Sequence, residues 1–340
     1  MSQRLTPGGR KRAVAWVVGC LLIALAVAAG SWWATSGQPV GGHSGAQLFT
    51  VRPGETASEV ASALASRHLV RSALYVRIFS GMVGATGRLK AGTYLLSGQL
   101  STRAILALIV SGQVASRRLV VPEGFTVRQI ARRLGQLGVV SVTSFMAVAM
   151  TYHNPYLPSG AAVLDPAEGY LFPSTYQLPY GVSARQVFAI LVATFDQKFT
   201  AALRQEASAE GLSVNQVVTL ASMVQQEAFL AKDMPLVAAV FLNRLKAHMP
   251  LGSDATISYA LGVPGNQLTR SDLASTSPYN TLHTQGLPPG PISNPGLATI
   301  LAVLHPAHVS YLYFFSLPSG QEIFSNTYAE QQAARKAAGY

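Results

Sequence analysis

The chain has 340 residues, with 25 Lys+Arg against 14 Asp+Glu, a net charge of +11 and one cysteine. Only 11% of residues are charged, where roughly 25% is usual for a soluble protein, and 49% are hydrophobic. This balance excludes a wholly disordered chain, and the lone cysteine excludes disulfide scaffolds, cysteine-rich zinc modules and iron–sulfur clusters.

In chain order, residues 1–12 hold Arg4, Arg10, Lys11 and Arg12 and no acid, which reads as a cytoplasmic tail. Residues 13–34 read as a transmembrane helix. Ala13–Trp33 is uncharged over 21 residues, enough to reach roughly 30 Å, the hydrocarbon thickness of a bilayer. Basic residues before the run and Trp32-Trp33 at its end orient the bulk of the chain outward. Two other readings stay open: a cleaved signal peptide cut near Ala26-Val27-Ala28, and a lipoprotein box at Val17-Val18-Gly19-Cys20. All three put residues 35–340 outside the cytoplasm.

Residues 35–47 (TSGQPVGGHSGAQ) read as a linker. The exported part keeps 21 basic residues and all 14 acids, about +7. Nucleic acid would suit that charge but not that location, so wall polymer or phospholipid is the expected partner.

Residues 48–115 form a first block. Leu48–Val51 reads as a strand, Pro53-Gly54 as a turn, and Thr56 as the cap of a helix carrying Val60, Ala61, Leu64 and Ala65. Tyr75–Ser80 suits either helix or strand; Gly92–Leu96 reads as a strand and Thr102–Ser111 as a helix. Residues 116–340 form a larger block. Its opening, VPEGFTVRQIARRL, repeats the pattern of VRPGETASEVASAL: strand end, turn, threonine cap, helix. Further on, Ser213 caps a predicted helix over Val214–Phe229, with Val217, Ala221, Val224 and Ala228 as its stripe. Asp233 is expected to cap a helix over Pro235–His248. The 35 residues Gly262–Gly296, rich in Gly, Pro and Asn, are expected to shape a cleft. Ile300–Leu304 (helix), Tyr311–Ser316 (buried strand) and Ala329–Ala338 (surface helix) close the chain, and the whole reads as α+β.

No GxSxG elbow, P-loop, GxGxxG or HExxH occurs, and the seven histidines are scattered, so no metal or other cofactor is expected. Attention falls on the acids. Glu227 lies at the border of its helix's apolar stripe, beside Leu220 and Met223. Lost hydration there favours the neutral carboxyl and suits a general acid near pH 7. Glu168, near Tyr170, Phe172 and Tyr176, and Asp254, near Thr256 and Tyr259, have the aromatic and hydroxyl neighbours of a sugar groove. Equally, Glu168 could satisfy backbone N–H groups in a turn, and Asp254 could cap a helix. A usual glycosidase pairs two carboxylates. One acid suffices where the muramic C6 hydroxyl attacks its own anomeric carbon, leaving a 1,6-anhydro ring.

Several runs together resemble one family, the endolytic murein transglycosylases (YceG-like). They are Glu168-Gly-Tyr-Leu-Phe-Pro-Ser-Thr-Tyr176, Leu220-Ala-Ser-Met-Val-Gln-Gln-Glu227, Val240-Phe-Leu-Asn-Arg-Leu245, Met249-Pro-Leu-Gly-Ser-Asp254-Ala-Thr256, Ser277-Pro-Tyr-Asn-Thr281 and Gly286-Leu-Pro-Pro-Gly-Pro-Ile-Ser-Asn-Pro-Gly296. The resemblance runs from Phe49 to the C-terminus. It implies an inner-membrane anchor, a small LysM-like α+β subdomain over 48–115 and a larger α+β catalytic domain over 116–340. It also implies a lytic transglycosylase cutting peptidoglycan glycan strands in the periplasm, beside peptidoglycan synthases. The family's catalytic acid maps to Glu227; Asp254, Thr256, Tyr259, Glu168, Tyr279 and Asn280 are expected to line the groove. A muramidase that uses water, and a non-catalytic wall-binding scaffold, are the alternatives. Gln225, Glu322 and Gln331 depart from the family pattern, which has Glu at the first position and His at the other two.

Overall fold

The computed structural model describes residues 7–41 and 45–339. Residues 1–6 of the expected tail, and residues 42–44 of the expected linker, lie outside that range. Two units can be distinguished: one extends to Ser116 and takes in Pro179–Gly181, the other comprises Arg117–Leu178 and the chain from Val182.

The first unit begins with helix α1, Pro7–Ser36. Within it Val14–Ser36 is long and apolar enough to cross a membrane, with mean hydropathy 2.3. At its polar end Thr35 Oγ1 donates to Ser31 O (2.9 Å) and Ser31 Oγ to Ala28 O (2.9 Å), so these hydroxyls need no water. The residues after it are held rather than loose. Thr102 N donates to Gly37 O (3.2 Å), Arg71 Nε to Pro39 O (2.8 Å) and Gly41 N to Gly98 O (3.2 Å).

Strand β1, Gln47–Val51, pairs antiparallel with β2, Gly92–Leu96, in a register that sets Phe49 opposite Tyr94. Between them lie α2, Ala57–Ser66, and α3, Ala73–Met82; α4, Thr102–Ser111, follows. A capping box of Thr56 and Glu59 starts α2. The Tyr75–Ser80 segment, undecided by sequence, is helical: Ser72 Oγ accepts from Tyr75 N and nucleates α3. Phe49, Leu64, Tyr94 and Ile105 meet in this unit's core.

The second unit opens in the same element order. Strand β3, Ser116–Val121, leads to α5, Val127–Gln136, and α6, Val142–Met150; then β4, Ser174–Pro179, pairs with β3 and precedes α7, Ala184–Lys198. Thr126 and Gln129 form a capping box where Thr56 and Glu59 do, and Gly124 (φ 78°) turns the chain where Gly54 (φ 85°) does. The sequence repeat thus corresponds to a repeated strand–helix–helix–strand–helix path.

Then come α8, Ala201–Ala209; α9, Val214–Glu227; α10, Met234–Lys246; α11, Asp254–Leu261; the single turn α12, Arg270–Leu273; and α13, Leu297–Leu304. The hairpin of β5, Tyr313–Ser316, and β6, Glu322–Ser325, precedes α14, Tyr328–Ala337. Helix α9 is the axis of this unit. Every residue from Val217 to Val224 is buried, a broader burial than the expected stripe, because α10, α11 and α13 pack around it. Three expectations differ. Helix α9 ends at Glu227, where Ala228 turns extended. Asp233 sits in a short 3-10 turn with helical backbone angles and makes no side-chain cap. Strand β5 is half-buried rather than buried.

The Gly262–Gly296 stretch is ordered by its own polar groups. Asn280 Nδ2 donates to Leu273 O (3.0 Å) and Ser275 O (2.7 Å), while Thr281, Ser293 and Asn294 are fully enclosed. Their backbone polar groups need partners once water is gone, which explains the Asn and Ser content.

Candidate active site

Glu227 is the last residue of α9, where the chain leaves the core. Burial raises its pKa to about 7; the negative charges of Asp254 and Glu322 add to the rise, while Ser253 and Arg244 oppose it. Ser253 Oγ donates a hydrogen bond to Glu227 Oε1. Ser253 stands at the N-cap position of α11 yet makes no cap bond, because its hydroxyl is committed to Glu227. It was not among the sequence-derived site residues. The signal was present in the Gly-Ser-Asp-Ala-Thr run, immediately before Asp254.

The remaining residues divide into two groups. Asp254, the first residue of α11, is exposed and within electrostatic reach of Glu227. Glu168 and Tyr259 line a cavity of about 410 Å³, together with Gln226, Arg128, Asp165 and Ser258. Gln226 adjoins Glu227 in sequence and ties its side chain to Gly124 O (2.9 Å), so this cavity lies beside the α9 terminus.

Thr256, Tyr279 and Asn280 are buried and do not line that cavity. Thr256 Oγ1 donates to Ser253 O (2.7 Å) and meets Thr281 Oγ1 (3.0 Å). Thr281 Oγ1 in turn accepts from Ser253 N (3.1 Å). The two threonines therefore hold the backbone of Ser253, and through it the hydroxyl on Glu227. Tyr279 packs its ring 5.4 Å from that of Tyr259, and its hydroxyl accepts from Leu164 N (3.4 Å). Asn280 braces the loop as described above.

Glu168 is buried as well as cavity-lining, and of its two readings the turn-binding one has visible contacts. Its oxygens accept from Val127 N (3.1 and 3.2 Å) and from Asn294 Nδ2 (2.9 Å). One carboxylate thus joins the start of α5 to the proline-rich loop. Burial pushes its pKa well up, and neighbouring Asp165 adds to the rise. Gly169 beside it is obligatory. It has φ 89°, and a Cβ there would come within 2.7 Å of Pro291 and Val218.

The family departures take visible roles. Gln225 Oε1 accepts from Gly296 N (2.9 Å) and Thr299 Oγ1 (3.3 Å), fastening the start of α13; a neutral amide does that work. Glu322 is buried on β6; Ser316 Oγ donates to its Oε1 (3.0 Å), and its pKa is raised by burial. Gln331 Nε2 donates to Phe314 O (3.1 Å), joining α14 to β5. Arg244 was also missed by sequence. Its guanidinium bridges Leu312 O (2.6 Å) and Leu251 O (2.7 Å), and it is the cation that moderates Glu227. Among the described residues no group of three or more His, Cys, Asp or Glu could hold a metal ion.

Comparison with known proteins agrees with the motif resemblance. The model of the YceG-like family matches residues 49–337. An endolytic murein transglycosylase of Bacillus subtilis (strain 168) is 31% identical over 303 residues, spanning 85% of this chain and 83% of the relative. One from Streptococcus pneumoniae (strain D39) is 29% identical over 80% of this chain, which spans only 55% of that longer protein. A crystal structure of a YceG-like protein from Listeria monocytogenes superposes with a TM-score of 0.60 at 31% identity, covering 86% of this chain and 99% of that one. The chain belongs to the YceG-like family.

Proposed function

We propose that this chain is an endolytic murein transglycosylase of the lytic type, with Glu227 as its only acid and base. The observation that carries this reading is Glu227 itself: a carboxyl raised to about 7 and held by one hydroxyl donor, next in sequence to Gln226, which lines a polar cavity. Such a group is protonated often enough near neutrality to donate and is basic enough to accept afterwards. Glu227 gives its proton to the glycosidic oxygen as the bond from the muramic anomeric carbon breaks. The C6 hydroxyl of the same sugar then closes on that carbon, and Glu227 takes the hydroxyl proton. Atoms balance without water, and the ends are an anhydro-muramic acid and a free 4-hydroxyl. The names of the relatives support the substrate, peptidoglycan.

Asp254 supports a second reading. Exposed and close enough to act on Glu227, it could activate a water and make the enzyme a hydrolytic muramidase. In both readings α1 serves as an uncleaved inner-membrane anchor, with the second unit acting in the periplasm, the residue 48–115 block as a LysM-like module and synthases as partners. The test is Glu227→Gln in the full-length protein on purified glycan strands. Loss of cleavage by at least 100-fold, with folding unchanged by circular dichroism, is expected. A variant that still cuts would remove Glu227 from the chemistry, whereas an unsubstituted protein that leaves the strands intact would favour a wall-binding scaffold.

A further inference from the structure

Helix α3 has two apolar edges, and only one is covered. Tyr75 and Phe79 stack at 5.6 Å, and Tyr75 receives Trp33 at 4.7 Å and Trp32 at 6.3 Å from the end of α1. The other edge carries Leu74, Ile78 and Met82 at i, i+4 and i+8, with Val83 just beyond. They are 49, 41, 70 and 50% exposed. Single exposed apolar residues are ordinary, but three along one edge of a ten-residue helix, with a fourth at its C-cap, make a patch. Arg77 lies exposed on the same edge, between Leu74 and Ile78 in the helical sequence.

The helix is also fixed in place. Gly37, immediately after α1, lies so close to Tyr75 that a Cβ there would fall 2.5 Å from the phenol oxygen. Arg71, at the start of α3, hydrogen-bonds Pro39 O, and α4 holds Gly37 O through Thr102 N. Tyr75 therefore stands at the level of Trp32 and Trp33, side chains that settle at the headgroup depth of a bilayer. Residues 74 and 78 are one helical step, about 100°, from 75 and 79.

We propose that the Leu74/Ile78/Met82/Val83 edge of α3 lies in the headgroup–acyl boundary of the same bilayer that α1 crosses, with Arg77 reaching anionic lipid phosphates. This rests on the reading of α1 as a retained anchor. The apolar edge supplies buried area, and the arginine can extend its stem along the apolar surface while its charge stays at the interface. The first unit is then seated on the membrane surface rather than carried on a free tether.

The test uses the full-length protein in a Cys20→Ser background, reconstituted in phosphatidylethanolamine/phosphatidylglycerol vesicles. An environment-sensitive fluorophore is attached at Met82→Cys or, as a reference on exposed α2, at Ser58→Cys. Flotation of the protein with the vesicles checks the anchor independently. The expected result is a blue-shifted label at position 82, quenched at least threefold more by nitroxide lipids than the label at 58. A protein that floats while both labels are equally open to aqueous iodide overturns the seating but leaves the anchor standing. A blue shift that follows protein density rather than lipid composition overturns it in favour of a second copy of the chain. Failure to float overturns both readings.

Discussion

Burial raises the Glu227 carboxyl to about 7, with the charges of Asp254 and Glu322 adding to the rise, so near neutrality it is protonated about half of the time. That has a stability consequence whose sign is fixed. The unfolded carboxyl ionises near the ordinary glutamate value of 4.5, whereas the folded one waits until about 7. The destabilisation is absent below about pH 4.5, grows between the two values and is complete above about pH 7. Glu227→Gln should therefore raise the unfolding free energy by about 1–3 kcal/mol at pH 8 and by little at pH 4, measured by urea titration at both pH values. Neighbours tune the same group in opposite directions. Ser253→Ala removes a bond that favours the charged form, so the alkaline fall of kcat/KM should move upward, by about half a unit or more. Glu322→Gln removes a like charge and should move it downward. Equal profiles for both variants would show that Glu227 does not set the limb.

At the scale of elements, the site depends on how loops are tied to helix ends. Glu168 satisfies the first helical N–H of α5 and the amide of Asn294 at once. Truncating it strands buried donors, so Glu168→Ala should cost about 2–4 kcal/mol, read from thermal or denaturant unfolding. Helices α2, α5 and α9, read from the sequence, each follow a hydroxyl cap, Thr56, Thr126 and Ser213, that accepts from a first-turn N–H. Helices α6 and α7 start from the same kind of cap, Ser141 and Ser183, and were not read. The threonine-capped repeat likewise foretold two similar strand–helix beginnings. Asp233 misled because a residue type suited to capping lies in helical conformation and buried, with its Oδ2 unpartnered. Tyr75–Ser80 was ambiguous because α3 is apolar on both edges, which erases the period that separates helix from strand. In the site, Glu227 could be read from one wheel, since its border position is local to α9. That Thr256 supports Ser253 from behind could not be, because it depends on Thr281 meeting it from 25 residues away.

At the scale of the molecule, the chain combines a candidate span with two units whose strand–helix–helix–strand–helix openings match. The charge distribution acquires a physical sense under the membrane-anchored reading: four early basic residues precede the apolar run, and the remaining excess faces an anionic wall. The site belongs to the second unit alone, and its ring of hydrogen bonds from Thr281 through Ser253 to Glu227 is internal to it. The central claim is that one carboxyl suffices because the sugar supplies the nucleophile. Digestion of defined glycan strands in H₂¹⁸O, followed by mass spectrometry of the new ends, tests it most directly. The account predicts 1,6-anhydromuramic ends carrying no ¹⁸O, and their disappearance with Glu227→Gln. Reducing muramic ends carrying one ¹⁸O would contradict it and assign the second carboxylate's role to Asp254.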